Sequence, residues 1–300
     1  MRNKFSLRVA ATLCATTLVL TACGSADSLS GTNDDSSRLV VGSQDYYSNE
    51  ILAELYAQAL EKEGFEVQRE YRIGQREVYM PEIQSGAIDV FPEYTGNLLQ
   101  YLDENTSARS ADDVYTALSA VMPEGLRVLE MAPATDQDAY VVTKDYAERN
   151  SLTTIGDLAS VGEVTIGGSS EIQTRPYGPE GLQTLYGVTA QVSPIEDGGG
   201  GLTVKALRDG SVQLADIYTA DPVMAEGDLV ALEDPKGIFL ASHVAPIVSQ
   251  KVDDKAAEAI NKVSQALEPS ELIEMNRRSV KDKASATTIA AEWLKAEGLA

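Results

Sequence analysis

The sequence has 300 residues, 46 of them acidic and 24 basic, for a formal net charge of −22. A surplus of that sign excludes a nucleic-acid partner, whose phosphates must be neutralised by Lys and Arg. With two cysteines and one histidine, His243, zinc clusters and histidine-based triads are almost excluded on inventory alone, and no metal, cofactor or enzymatic activity is expected.

Arg2, Lys4 and Arg8 precede a nearly apolar stretch from Val9 to Leu20, followed by Leu20-Thr21-Ala22-Cys23 and then Gly24-Ser25. The apolar run is too short to span a bilayer, and a processing segment should be kept out of fold reasoning. The pattern resembles a bacterial lipobox. Residues 1–22 are therefore expected to be a removed signal peptide, with Cys23 lipidated and anchored to the outer face of the cytoplasmic membrane. Cys14 leaves with that peptide, so no thiol remains for a disulfide, a metal or a nucleophile. Cleavage removes three bases and no acids, which leaves 46 acids against 21 bases, a charge of −25. The acidity serves solubility and offers cationic solutes a mild attraction.

Residues 23–37, rich in Ser, Gly, Asn and Asp, read as a flexible tether. Arg38 to Ser43 then reads as a buried strand ending in a glycine turn, and Ser48 is expected to cap a helix. In that helix Ile51, Leu55 and Ala59 form one apolar stripe and Leu52, Tyr56 and Leu60 another. Gly64 ends it, Phe65 to Tyr71 alternates like a strand, and Val78 to Ser85 forms a short helix. Strand and helix alternation of this kind predicts an α/β fold with parallel-type sheets, and about 260 residues suit two lobes better than one core.

An internal echo supports two similarly built lobes. Gly86-Ala87-Ile88-Asp89-Val90 leads to Tyr94-Thr95, and Gly210-Ser211-Val212-Gln213-Leu214 leads to Tyr218-Thr219. Each tyrosine then lies beyond the carboxyl end of a strand, where open α/β sheets bind ligands. Another strand-glycine-helix unit, Val164 to Ser170, offers backbone N–H groups to an anion or forms a simple tight turn. Gly198 to Gly201 reads as a flexible run before a helix at Leu202 to Arg208. The lobes are expected at 38–135 and 136–237. Residues 238–300, with a strand near Ala245 to Val248 and helices at Ala256 to Leu267 and Thr287 to Leu294, return to lobe one. Two crossings imply a hinge.

Several segments, in order along the chain, resemble the substrate-binding proteins of osmoprotectant ABC transporters, which bind glycine betaine, choline, carnitine and related solutes. They are Val41-Gly42-Ser43-Gln44-Asp45, Arg76-Glu77-Val78-Tyr79, Gly86 through Asn97, Asp138-Ala139-Tyr140, Thr174 through Pro179, Leu202 through Leu207, and Ala215 through Pro222. The resemblance implies a two-lobed, type II periplasmic-binding-protein-like fold, each lobe a mixed sheet flanked by helices, with the ligand cleft between. It implies a monomer that passes its solute to an ABC permease. It places Tyr94, Tyr140 and Tyr218 in an aromatic cage, Arg175 at a carboxylate anchor, Gln44 and Asn97 at polar positions, and Asp138 facing the cation or orienting a ring. A quaternary ammonium has no N–H to donate, so ring faces are its natural partners.

The sequence departs from that pattern at Val204, where many family members have a fourth tyrosine, and at Gln44, where many have lysine. Tyr46, Tyr47 or Tyr177 is a candidate to fill the gap. The same fold binding an amino acid or another zwitterion remains the alternative reading. An envelope hydrolase lacks support, because the chain has no histidine cluster and no Gly-x-Ser-x-Gly elbow.

Overall fold

The computed structural model describes residues 38–300, so the proposed signal peptide, Cys23 and the tether lie outside the described residues. The first half runs β1 (Arg38–Gly42), α1 (Tyr47–Lys62), β2 (Glu66–Glu70), α2 (Arg76–Gln84), β3 (Val90–Tyr94), α3 (Thr95–Leu102), α4 (Ala111–Val121) and β4 (Leu126–Val128). The second runs β5 (Asp138–Thr143), α5 (Lys144–Asn150), β6 (Val164–Gly168), α6 (Pro179–Gly181), β7 (Ala190–Pro194), α7 (Gly201–Arg208), β8 (Leu214–Tyr218) and β9 (Leu229–Ala231). The chain closes with β10 (Val244–Ser249), α8 (Asp254–Ala266), α9 (Pro269–Val280) and α10 (Ala286–Ala296).

These strands form two five-stranded sheets, ordered β2-β1-β3-β10-β4 and β7-β6-β8-β5-β9. In the first, β1 is parallel to β2 and β3, while β10 is antiparallel to β3 and β4. In the second, β6 is parallel to β7 and β8, while β5 is antiparallel to β8 and β9. The plans are the same, and each antiparallel strand follows a segment arriving from the other half. The sequence echo falls on the equivalent strands β3 and β8, and its hydrogen bonds repeat. Asp89 N–H donates to the Val40 carbonyl at 2.8 Å and its carboxylate accepts from Val40 N–H at 2.9 Å. Gln213 N–H likewise donates to the Thr165 carbonyl at 3.2 Å, and its side-chain amide oxygen accepts from Thr165 N–H at 3.1 Å.

Helix α1 is buried on nearly every side, from Ile51 to Leu60, because it packs against β1 and β3 on one face and against α8 and α10 on the other. Its two apolar stripes thus serve two neighbours, as expected of a helix apolar around most of its circumference. Ser48 does not cap it: Tyr46 is the cap residue and Ser48 lies in the first turn, its hydroxyl 3.4 Å from Asp136. The hydroxyl is drawn to a buried carboxyl rather than to the helix end. Helix α9, absent from the sequence reading, buries only Leu272, Met275 and Asn276, too sparse a stripe to stand out among its charged residues.

Both segments that pass between the sheets lie side by side. Ala132 N–H donates to the Val244 carbonyl at 2.8 Å, Val244 N–H donates to the Ala134 carbonyl at 3.0 Å, and Thr135 forms an isolated bridge with His243. His243 Nδ1 lies 2.8 Å from the Ala132 carbonyl, a structural place that fits a histidine with no functional assignment.

Gly96 opens α3 against this crossing. A Cβ there meets the carbonyl oxygens of Leu240 and Ala241 at 2.8 Å, and backbone of this kind has little freedom to withdraw. Gly96→Ala is expected to cost about 1–3 kcal/mol by overpacking, read as a lower urea midpoint with an unchanged slope.

Candidate functional site

The carboxyl ends of β3 and β8 face a small cavity between the two halves. Gln44, Tyr46, Arg76, Tyr94 and Asn97 line it from one side, and Asp136, Asp138, Glu171, Tyr177 and Tyr218 from the other. Its volume is about 20 Å³, room for roughly one water molecule. Admission of a larger solute therefore requires the halves to part.

Tyr94 ends β3 and Tyr218 ends β8, and Tyr46 lies between them. The Tyr46 ring centroid is 5.2 Å from that of Tyr218 and 6.4 Å from that of Tyr94, within the range of favourable ring pairs. The Tyr46 hydroxyl bonds the Tyr94 hydroxyl and lies 3.4 Å from Asp136. Gly198, at φ +60°, brings its loop so close that a Cβ lies 3.2 Å from the Tyr46 Cβ and 3.9 Å from the Tyr218 ring. Gly198, the first residue of the run that reads as flexible, thus backs both rings.

Asn97 donates to Asp138 and accepts from the Ser242 hydroxyl at 2.8 Å, which fixes its amide. Gln44 N–H donates to Asn49 at 2.8 Å, but its side-chain Nε2 is buried without a partner. The sequence-derived candidates Gln44, Tyr94, Asn97, Asp138 and Tyr218 are thus brought together around one cavity.

Tyr140 and Arg175 are not. Tyr140 lies two residues beyond Asp138 on β5, about 7 Å deeper at the usual strand rise. Its ring sits 5.0 Å from Phe239 in the second core, and its hydroxyl donates to the Tyr177 carbonyl. Arg175 crosses the cleft to form a two-pronged ion pair with Glu77, at 2.7 and 3.2 Å, and lies 5.9 Å from the Tyr101 ring centroid. The exposed Glu77 holds both terminal nitrogens of this nearly buried guanidinium, its Nε is buried without a partner, and Arg175 does not line the cavity. Val204 and Tyr47 line a separate outer cavity, and the Tyr47 hydroxyl donates to Asp221 at 3.0 Å. Of the three replacement tyrosines, Tyr46 and Tyr177 reach the inner cavity and Tyr47 does not.

Sequence reasoning gave no role to Arg76, Asp136 or Glu171. Arg76 pairs with Glu93 through two bonds of 2.7 and 2.9 Å, both side chains buried. Glu93 also accepts from the Tyr79 hydroxyl and from Tyr94 N–H. The adjacency of Glu93 to Tyr94 was the available signal, since a charge inside a buried strand needs a partner.

The electrostatics are dominated by carboxyl groups. Burial pushes Asp136 up to about 7, against the opposing bond from Ala220 N–H. Burial likewise pushes Glu171 up to about 7, with Arg175 opposing. Asp138 and Asp216 are hydrogen-bonded to one another. Burial raises both, and Asp138 adds to the rise at Asp216, as two carboxyls that share a site must behave. Burial first and neighbouring charges second hold the Tyr46 and Tyr218 hydroxyls protonated. Among the described residues, no group of three or more His, Cys, Asp or Glu side chains is disposed to hold a metal ion.

Residues 37–296 match the family described as the substrate-binding domain of ABC-type glycine betaine transport systems. The chain is 27% identical over 274 residues to the glycine betaine-binding protein YehZ of Escherichia coli, covering 86% of this chain and 90% of that one. It is 25% identical over 273 residues to a glycine-betaine-binding protein of Pseudomonas aeruginosa, covering 86% and 87%. Its fold resembles that of a glycine betaine/carnitine/choline ABC transporter protein at a TM-score of 0.69 and 19% identity, with 87% and 99% of the two chains covered. The two mixed, helix-flanked sheets agree with such two-lobed neighbours, and this chain belongs to the family of substrate-binding domains of ABC-type glycine betaine transport systems.

Proposed function

We propose that this chain captures a quaternary-ammonium osmoprotectant such as glycine betaine, choline or carnitine outside the cytoplasm and presents it to an ABC permease. The observation that carries this reading is the convergence of Tyr46, Tyr94 and Tyr218 on one cavity floored by Asp136 and Asp138. Ring faces contribute roughly 0.5–2 kcal/mol each to a cation. Three of them with one desolvated charge contact approach the roughly −8 kcal/mol of a micromolar complex.

In this reading Tyr46 takes the place of the ring absent at Val204, and Gln44 and Asn97 serve the polar end. Tyr140 acts from behind by fixing Tyr177, and Arg175 clasps the lobes through Glu77. The lobes divide near residues 135 and 238, where the paired crossing segments form the hinge. The chain works as a monomer, held to the membrane by lipid on Cys23.

Removing one cage wall tests the site. Tyr218→Ala is expected to weaken calorimetric binding of both choline and glycine betaine at least tenfold, about 1.4 kcal/mol, while the melting curve stays cooperative. Unchanged affinity in the folded variant rules out the cage. Separately, Cys23→Ser is expected to move the protein from the membrane fraction to the soluble fraction, and continued anchoring contradicts lipidation at that residue.

A further inference from the structure

Three carboxyl groups, Asp136, Asp138 and Glu171, line a space of about 20 Å³ between the halves. One guanidinium lines it with them, Arg76, and both carboxylate oxygens of Glu93 already hold that group. Arg175 acts on Glu171 from outside the cavity and is itself bonded to Glu77. Acids packed this closely, with so little opposing charge left over, cannot all ionise, because each charge is costly to desolvate and repels the next. Gln44 lines the same space, about nine-tenths buried, and its Nε2 has no acceptor. A buried amide left unpaired there marks a space built for an occupant.

Asp136 is the acid with the least help. It accepts from Ala220 N–H at 3.0 Å, and the Ser48 and Tyr46 hydroxyls each lie 3.4 Å away. From the head of α1 it faces Tyr46, Tyr47 and Ser48, from β3 Tyr94, from β5 Asp138, and from the turn after β8 Asp221. All of these are acids or neutral hydroxyls. Asp138 has the Asn97 amide, its bond with Asp216 and the nearby charge of Arg76, and Glu171 faces Arg175 and Arg76 as well as Glu77 and Glu196. Burial, opposed by few bonds, pushes Asp136 up to about 7. Burial also raises the phenols of Tyr46, Tyr94 and Tyr218, so the rings keep their protons while the acids titrate. The one histidine, His243, lies at the crossing segments and does not line the cavity.

We propose that a cation entering this cavity displaces a proton from its carboxyl groups, chiefly from Asp136, so that the protein exchanges protons for its solute and holds that solute more weakly as the medium becomes acidic. The inference rests on the cage reading, since the rings bring the ammonium to the acids, and it adds a regulation of that site. A quaternary ammonium has no N–H, so it pairs with an acid through charge alone, and the acid must ionise to meet it. One proton leaves for solvent as one positive charge enters, and the charge of the cavity is conserved. Where the acid is protonated in the free protein, each displaced proton lowers the affinity up to about tenfold per pH unit of acidification. Where it is already ionised, affinity levels off.

The test is calorimetric titration of the detergent-solubilised full chain with tetramethylammonium, a permanent cation without a titratable group, so that any pH dependence belongs to the protein. Affinity at pH 8 is expected to exceed that at pH 5.5 by about tenfold or more. At pH 7 the heats are expected to differ between phosphate and Tris buffers in the sense of proton release. Asp136→Asn is expected to shrink the affinity ratio at least threefold. Failure to bind at any pH sinks the cage itself. Equal affinity across the range, with equal proton-free heats in both buffers, overturns the exchange and leaves the cage standing. An unchanged ratio in a folded Asp136→Asn protein removes Asp136 as the source of the proton. Should that variant not fold, the wild-type affinity ratio and the difference between buffers decide the proposal.

Discussion

The geometry of the cleft depends on the pairing of the two segments that cross between the sheets. Ala132, Ala134 and Val244 exchange backbone hydrogen bonds there, and Thr135 faces His243. Each crossing leads directly into the antiparallel strand of a sheet, so the start of β5 and the start of β10 are located by one another. Register then does the rest: Asp138 lies opposite Tyr218, and Val244 lies opposite Tyr94. A shift of one residue in either ladder turns these side chains to the other face. The two strand-end tyrosines are thus placed by main-chain hydrogen bonding.

Charge is the second constraint. The buried Arg76–Glu93 pair is weak evidence of stability, because desolvation offsets much of the attraction. Its geometry has a clearer consequence. Glu93 binds Arg76, the Tyr79 hydroxyl and the N–H of Tyr94, so it fixes the joint between β3 and α3. Asp136 has no cationic partner among its contacts and is bound by Ala220 N–H, Ser48 and Tyr46. Its folded-state value is raised from 3.8 to about 7, so the folded protein holds a proton that the unfolded chain releases across that window. Its contribution to stability is present at low pH and is lost as pH rises through about 7. An acid kept under those conditions is a local cost characteristic of functional sites.

Much of the architecture was legible because it rests on short-range patterns. The α1 stripes, the glycine-terminated strand β1 and the repeated approach to Tyr94 and Tyr218 are local features with fixed periods. They lead to the α/β reading and to the equivalence of β3 and β8. Helix α9 was not legible, since its buried residues are few. The cap of α1 was misread, since Ser48 is claimed by a carboxyl distant in sequence. Within the site, Tyr94 and Tyr218 were legible as strand-end residues, whereas Asp138 entered only through the family resemblance. Tyr140 and Arg175 differ because depth along a strand and the choice of Glu77 as partner are properties of packing. Val164 to Ser170 shows the same limit: the N–H of Ser170 is engaged, at 3.0 Å, by the carboxylate of Glu196, so the acceptor at that turn is the chain's own.

The position of Tyr46 changes how the proposed cage would assemble. Tyr46 stands at the head of α1 and Tyr94 at the end of β3, both built on the first sheet, whereas Tyr218 belongs to the second. Were the halves to part, the two rings would stay together, with Arg76 and Gln44 beside them. A cation would meet that half-formed surface first, and Tyr218, Asp138 and the Gly198 loop would arrive with closure. The clasp between Arg175 and Glu77 and the bond between Tyr47 and Asp221 lie outside the inner cavity, so closure would gain contacts that do not depend on the ligand. In the proposed function the rings would then set the class of solute, since a ring face accepts any methylated ammonium.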